Sequence, residues 1–144
     1  MASVEMHWRG NMLFHSRTPS GHDVFMDSSP EVGGNDSAAR PMEHFILALA
    51  GCTGMDVVSI LSKMKLLKKV KSFDVKIEYE RAKMHPKVYT WIKVLYIFEV
   101  EKEIPHDKIK RAVKLSQDRY CSASAMLKKA VENFGYEVII EKAP

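Results

Sequence analysis

The chain has 144 residues, 46% of them apolar and 28% charged, with a formal net charge of +4. That length suits a single domain spanning 1–144, and the composition excludes a disordered tail, a collagen-like fibre and a disulfide-dense mini-protein. The charge is only mildly basic. Lysines gather at Lys63–Lys71 and Lys108–Lys114 without interleaved aromatic residues, so solvated helix ends are expected rather than a nucleic-acid surface.

The first segment reads as short strands. Val4–Trp8 alternates apolar and polar residues, Gly10-Asn11 offers a tight turn, and Met12–His15 runs back as a hairpin partner. Thr18-Pro19-Ser20-Gly21 is a second turn signal before a strand around Asp23–Asp27. Residues 28–39 carry Pro30, Gly33, Gly34, Asn35, Asp36 and Ser37, a loop long enough to suggest a function.

A long helix is predicted from Pro41, with proline in the first turn and Glu43 at the positive end of the helix dipole. Met42, Phe45, Ile46, Leu49, Thr53, Val57, Ile60, Leu61 and Met64 keep the spacing of one helical face. The opposite face is also apolar around Leu47, Ala48, Ala50, Cys52 and Val58. A helix apolar all round must be covered on all sides, so a homodimer is expected. The uncharged apolar run Phe45–Met55 is too short to span a bilayer. No basic segment followed by an apolar stretch opens the N-terminus, so no leader, no membrane association and a cytoplasmic location are expected.

Phe73–Tyr79 alternates cleanly, and Val88–Val100 is rich in β-branched and aromatic residues; the two should form a long hairpin. A helix is predicted from Pro105 to about Ser116, and another from Ser122 to Asn133 with Gly135 as its C-terminal glycine. A last strand follows at Tyr136–Ile140. The order βββ-α-ββ-αα-β describes an α+β protein with antiparallel sheets around a long helix.

Two cysteines, Cys52 and Cys121, lie 69 positions apart. They are too few for a zinc site without histidine help, and neither Cys-x-x-Cys nor His-x-x-x-His occurs, so no metal and no cofactor are expected. Two readings stay open: a pair of buried structural thiols, or a redox pair. Gly51 and Gly54 flank Cys52 inside the predicted helix, where each costs about 1 kcal/mol relative to alanine, which suggests a close neighbour there. Cys121 precedes the helix from Ser122, where free N–H groups favour a thiolate. His44 could act as a general base or sit on the surface. Met42, Met55, Met64 and Met126 are expected in the core or lining an apolar pocket.

The run Arg40-Pro41-Met42-Glu43-His44-Phe45-Ile46-Leu47-Ala48-Leu49-Ala50-Gly51-Cys52-Thr53 resembles the long-helix motif of the OsmC/Ohr family of hydroperoxide-resistance proteins. Tyr120-Cys121-Ser122-Ala123-Ser124-Ala125-Met126-Leu127 resembles the family's second cysteine motif, and Asp56–Leu61 looks most like its OsmC branch. The resemblance implies an intertwined homodimer and a thiol peroxidase that reduces organic hydroperoxides, and hydrogen peroxide less well. Cys52 would attack the peroxide and become a sulfenic acid; Cys121 would condense with it to a disulfide; an external dithiol would reduce that disulfide. Such a bond requires the two Cα atoms within about 7 Å. Glu43 matches the family glutamate that orients a thiolate-stabilising arginine, and Arg17 falls near the family's arginine, with Arg40 the alternative. Glu43 and Cys52 are nine residues apart, roughly 13 Å along a helix axis, so Glu43 could act on Cys52 only through another group. The other reading is a non-catalytic, stress-associated binding protein with the same fold.

Overall fold

The computed structural model describes residues 1–144, in two compact units, Met1–Leu47 and Ala48–Pro144. In the first unit, strands β1 (His7–Trp8), β2 (Phe14–Arg17) and β3 (Asp23–Met26) form an antiparallel sheet in that order. The register sets His7 opposite His15 and Phe14 opposite Met26. The Gly10-Asn11 turn forms as expected: both residues have positive φ, and the Arg9 N–H donates to the Leu13 carbonyl at 2.8 Å. Only His7 and Trp8 of the predicted first strand are paired.

The loop after β3 is organised by one carboxylate. Asp27, 2% exposed, accepts hydrogen bonds from the backbone N–H groups of Ser28, Asn35 and Ser37 and from the Ser37 hydroxyl. Those four donors hold its acid well below the usual carboxylate range, at about 2, with the Ser37 hydroxyl the largest cause. Gly34 is obligatory here, because a Cβ would lie 2.0 Å from the Ser28 carbonyl oxygen.

Helix α1 (Pro41–Lys63) starts beside this loop and runs into the second unit. There follow strands β4 (Val70–Arg81) and β5 (Tyr89–Val100), helix α2 (His106–Leu115), a π-helical turn (Ser116–Tyr120), helix α3 (Ser122–Ala130) and strand β6 (Asn133–Lys142). The predicted element order is therefore observed throughout. The hairpin β4–β5 sets Val75 opposite Tyr96 and Phe73 opposite Phe98. Alternate residues of β5 (Ile92, Val94, Tyr96, Phe98, Val100) are fully buried, as are Leu49, Thr53, Val57 and Leu61, which recur every fourth residue on α1. Period two on the strand and period near four on the helix place both sets in the core of this unit.

Two expectations are corrected. The second sheet is mixed, not antiparallel: β6 runs parallel to β5, with Val138 beside Tyr96. The α2–α3 connection supplies the long crossover that parallel neighbours need. The last helix stops at Ala130, and Gly135 is a strand residue beside Lys93. The alternation Phe134, Tyr136, Val138, Ile140 continues as sheet, and the ladder to β5 outcompetes another helical turn. In addition, α1 is by length and hydropathy a segment that could cross a membrane, longer than its uncharged run suggests. One face of it is nevertheless built into protein core.

Candidate functional site

Cys52 lies in the middle of α1 and is half-buried; Cys121 caps the N-terminus of α3 and is 3% exposed. Although 69 positions apart in sequence, the two thiols are neighbours, and Cys52 is among the groups that act on the Cys121 thiol. The Cys121 sulfur accepts a hydrogen bond from the Ser124 N–H at 3.3 Å. Burial pushes the Cys121 thiol up; the Ser124 hydroxyl and N–H oppose this, and Cys52 adds to it. The expectation that the helix N-terminus would favour a Cys121 thiolate is thus corrected: desolvation outweighs the two donors.

The reason Cys121 faces inward lies just before it. The π-helical turn admits one extra residue per turn, a feature frequent at functional sites, and it turns Ser116 and Gln117 into the core. The Ser116 carbonyl then receives the Cys121 N–H at 2.8 Å.

Beside the thiols runs a chain of buried polar side chains, of which Thr53 keeps the apolar spacing of α1. Thr53, the residue after Cys52, bonds to the Tyr96 hydroxyl at 2.6 Å and the Ser116 hydroxyl at 2.7 Å. Ser116 donates to Asp56 at 3.0 Å, and Gln117 donates to the Tyr96 hydroxyl at 2.5 Å. Tyr96 is fully buried; desolvation raises its phenol above the ordinary value, against the pull of Thr53 and Gln117. Two atoms in this region have no hydrogen-bond partner: Gln117 Oε1 and Ser124 Oγ. The available signal was polar residues at core-spaced positions, as at Thr53 on α1 and Ser116 after α2.

The other predicted site residues belong to the first unit. Arg17 is exposed and faces Asp23 at 3.7 Å. Arg40 is held more firmly, at 2.6 Å from Asp36 and 3.0 Å from the Ala38 carbonyl. Glu43 is exposed in the first turn of α1. The His44 Nε2 donates to the Phe25 carbonyl at 3.0 Å, which fixes the ring proton on that nitrogen.

An open, largely apolar cleft of about 640 Å³ lies along α1, lined by Gly51, Gly54, Met55, Val58, Phe73 and Val75. Met55 and Met126 are 76% and 67% exposed rather than core. A Cβ on Gly54 would meet Val75 at 3.4 Å, the close neighbour expected there; one on Gly51 would meet open space.

A mixed α+β fold carrying a closely set dithiol defines the class of this protein. Residues 33–133 match the sequence profile of OsmC-like proteins. Protein YhfA of Escherichia coli (strain K12) is 35% identical over 133 residues, covering 92% of this chain and 94% of that protein. A structure solved in structural genomics superposes with a TM-score of 0.84 at 32% identity, covering 99% of this chain and 100% of that one. An organic hydroperoxide resistance protein OsmC from Legionella pneumophila shares the fold at a TM-score of 0.61 and 14% identity, with 98% of each chain covered. The chain belongs to the OsmC-like family.

Proposed function

We propose that this protein is a cysteine-dependent peroxidase for organic hydroperoxides, acting through Cys52 and Cys121. The observation that carries the reading is the unequal pair of adjacent thiols, one accessible and one buried. The Cys52 thiolate attacks the distal peroxide oxygen; the O–O bond breaks and the alcohol leaves with a proton. The resulting Cys52 sulfenic acid meets the Cys121 thiol, a disulfide forms and water is released. An external dithiol then reduces the disulfide. The apolar cleft beside α1 suits an organic peroxide better than hydrogen peroxide.

The family resemblance assigns thiolate support to Arg17 and its orientation to Glu43. Arg17 is the less committed of the two arginines, since Arg40 is already tied at 2.6 Å. The reading also includes a homodimer and a reducing, cytoplasmic setting. The apolar residues that α1 leaves exposed, including Phe45, Leu47, Met55 and Val58, support a second copy as their cover.

The test is consumption of cumene hydroperoxide and of hydrogen peroxide with a dithiol reductant. Turnover is expected with the organic peroxide preferred, and Cys52→Ser should abolish it. Arg17→Met should slow the peroxide step about tenfold or more, with Arg40→Met near wild type, the scale expected for removing one charge-stabilising donor. A wild-type protein without turnover would sink the reading and leave a binding protein on this fold.

A further inference from the structure

The reductive half of the cycle raises a question of regiochemistry. A disulfide between Cys52 and Cys121 offers two sulfurs, and an incoming thiolate must reach one and expel the other. Accessibility decides the first part: Cys52 is half-buried, whereas Cys121, at the N-terminal cap of α3, is 3% exposed. The leaving group is then a thiolate on Cys121, generated in a buried site where a bare anion is costly.

The structure shows what meets that charge. The Ser124 N–H points at the Cys121 sulfur at 3.3 Å, in the first turn of a nine-residue helix whose N-terminal end carries a partial positive charge. The Ser124 hydroxyl, on a residue 0% exposed, has no hydrogen-bond partner and is among the groups that favour the Cys121 thiolate. A buried serine hydroxyl left without an acceptor is uncommon in a folded core. Here its proton has one productive target. Of the largest influences on Cys121, burial and Cys52 oppose the thiolate, and the two Ser124 donors are the ones that favour it.

We propose that Ser124 is a catalytic residue of the reductive step: its N–H and hydroxyl receive the Cys121 thiolate expelled when an external dithiol attacks the Cys52 sulfur. One thiolate of the reductant forms a bond to Cys52 Sγ, and the Cys52–Cys121 bond breaks with its electron pair going to Cys121. That thiolate later takes a proton from solvent. The second thiol of the reductant attacks the mixed disulfide and releases Cys52. The reduced dithiol described here is the end point of this step, with Cys121 already seated on Ser124. The proposal rests on Cys52 and Cys121 forming a disulfide, but not on the identity of the oxidant.

The test therefore starts from protein oxidised with diamide rather than peroxide. In single-turnover reduction by excess dithiothreitol, Ser124→Ala should react about tenfold more slowly than wild type, the loss expected for one hydrogen bond to a charged group. In a Cys52→Ser background, Ser124→Ala should move the Cys121 thiolate absorbance to higher pH, a readout that a packing role would leave in place. Peptide mapping of wild-type protein trapped with one equivalent of glutathione should find the adduct on Cys52. Unchanged reduction kinetics and titration, or an adduct on Cys121, would overturn the proposal. The mapping uses wild-type protein, so it holds even if Ser124→Ala fails to fold. Failure of diamide to form the disulfide would overturn this proposal and the disulfide step together. Absent peroxide turnover with normal disulfide reduction would remove the peroxidase reading alone.

Discussion

Two polar clusters stand buried in this protein, and they differ in how completely they are satisfied. At Asp27, four donors converge on one carboxylate, and the loop wraps around it. Around Thr53, Tyr96, Ser116 and Gln117, hydroxyls hand hydrogen bonds along a chain, and Gln117 Oε1 and Ser124 Oγ are left over. The first cluster is saturated and accounts for a backbone path. The second borders the two cysteines and keeps unmet hydrogen-bonding capacity. A saturated buried network stabilises a fold, while leftover buried polar atoms call for a further role.

That contrast can be tested by substitution. The largest effect is expected from Thr53→Val, which takes one partner from each of the Tyr96 and Ser116 hydroxyls. It should cost about 2 kcal/mol in urea unfolding, and Thr53→Ser should recover most of it. Because Thr53 follows Cys52 on α1, Thr53→Val should also shift the glutathione redox titration of the Cys52–Cys121 pair, whereas changes at Asp27 should leave that titration in place. Equal redox shifts from both clusters would erase the distinction. Tyr96→Phe should cost less, about 1 kcal/mol, since Thr53 keeps its bond to Ser116.

Asp27→Asn is the substitution whose distinguishing signature lies in acid. The folded-state acid of Asp27 sits at about 2, below its ordinary 3.8. Its contribution is therefore complete above about pH 4 and lost as pH falls through about 2. Thermal unfolding between pH 5 and 2 should show a steeper acid loss for wild type than for Asp27→Asn. Parallel curves would remove Asp27 as the organiser of the loop.

Much of this was legible in the chain itself. Pro41 and Glu43 announce the start of α1, and the clean alternation of Phe73–Tyr79 announces β4, because both signals are local and periodic. The cysteine motifs were legible as motifs. The role of Ser124 was not, although it stands inside the second motif, since an unpartnered hydroxyl is a property of surroundings rather than of spacing. Thr53 fell on an apolar-spaced position and read as core; only contact with Ser116 and Tyr96 reveals a network.

Element order, strand alternation and the two cysteine motifs follow from local preferences along the chain, and those preferences were enough to place nearly every helix and strand. The parallel seat of β6, the end of α3 at Ala130 and the upward push on the Cys121 thiol were decided elsewhere. Strand direction depends on which edge of β5 is open, and a thiol's acidity depends on what excludes water from it. Both are set by residues distant in sequence, which meet only once the chain has folded.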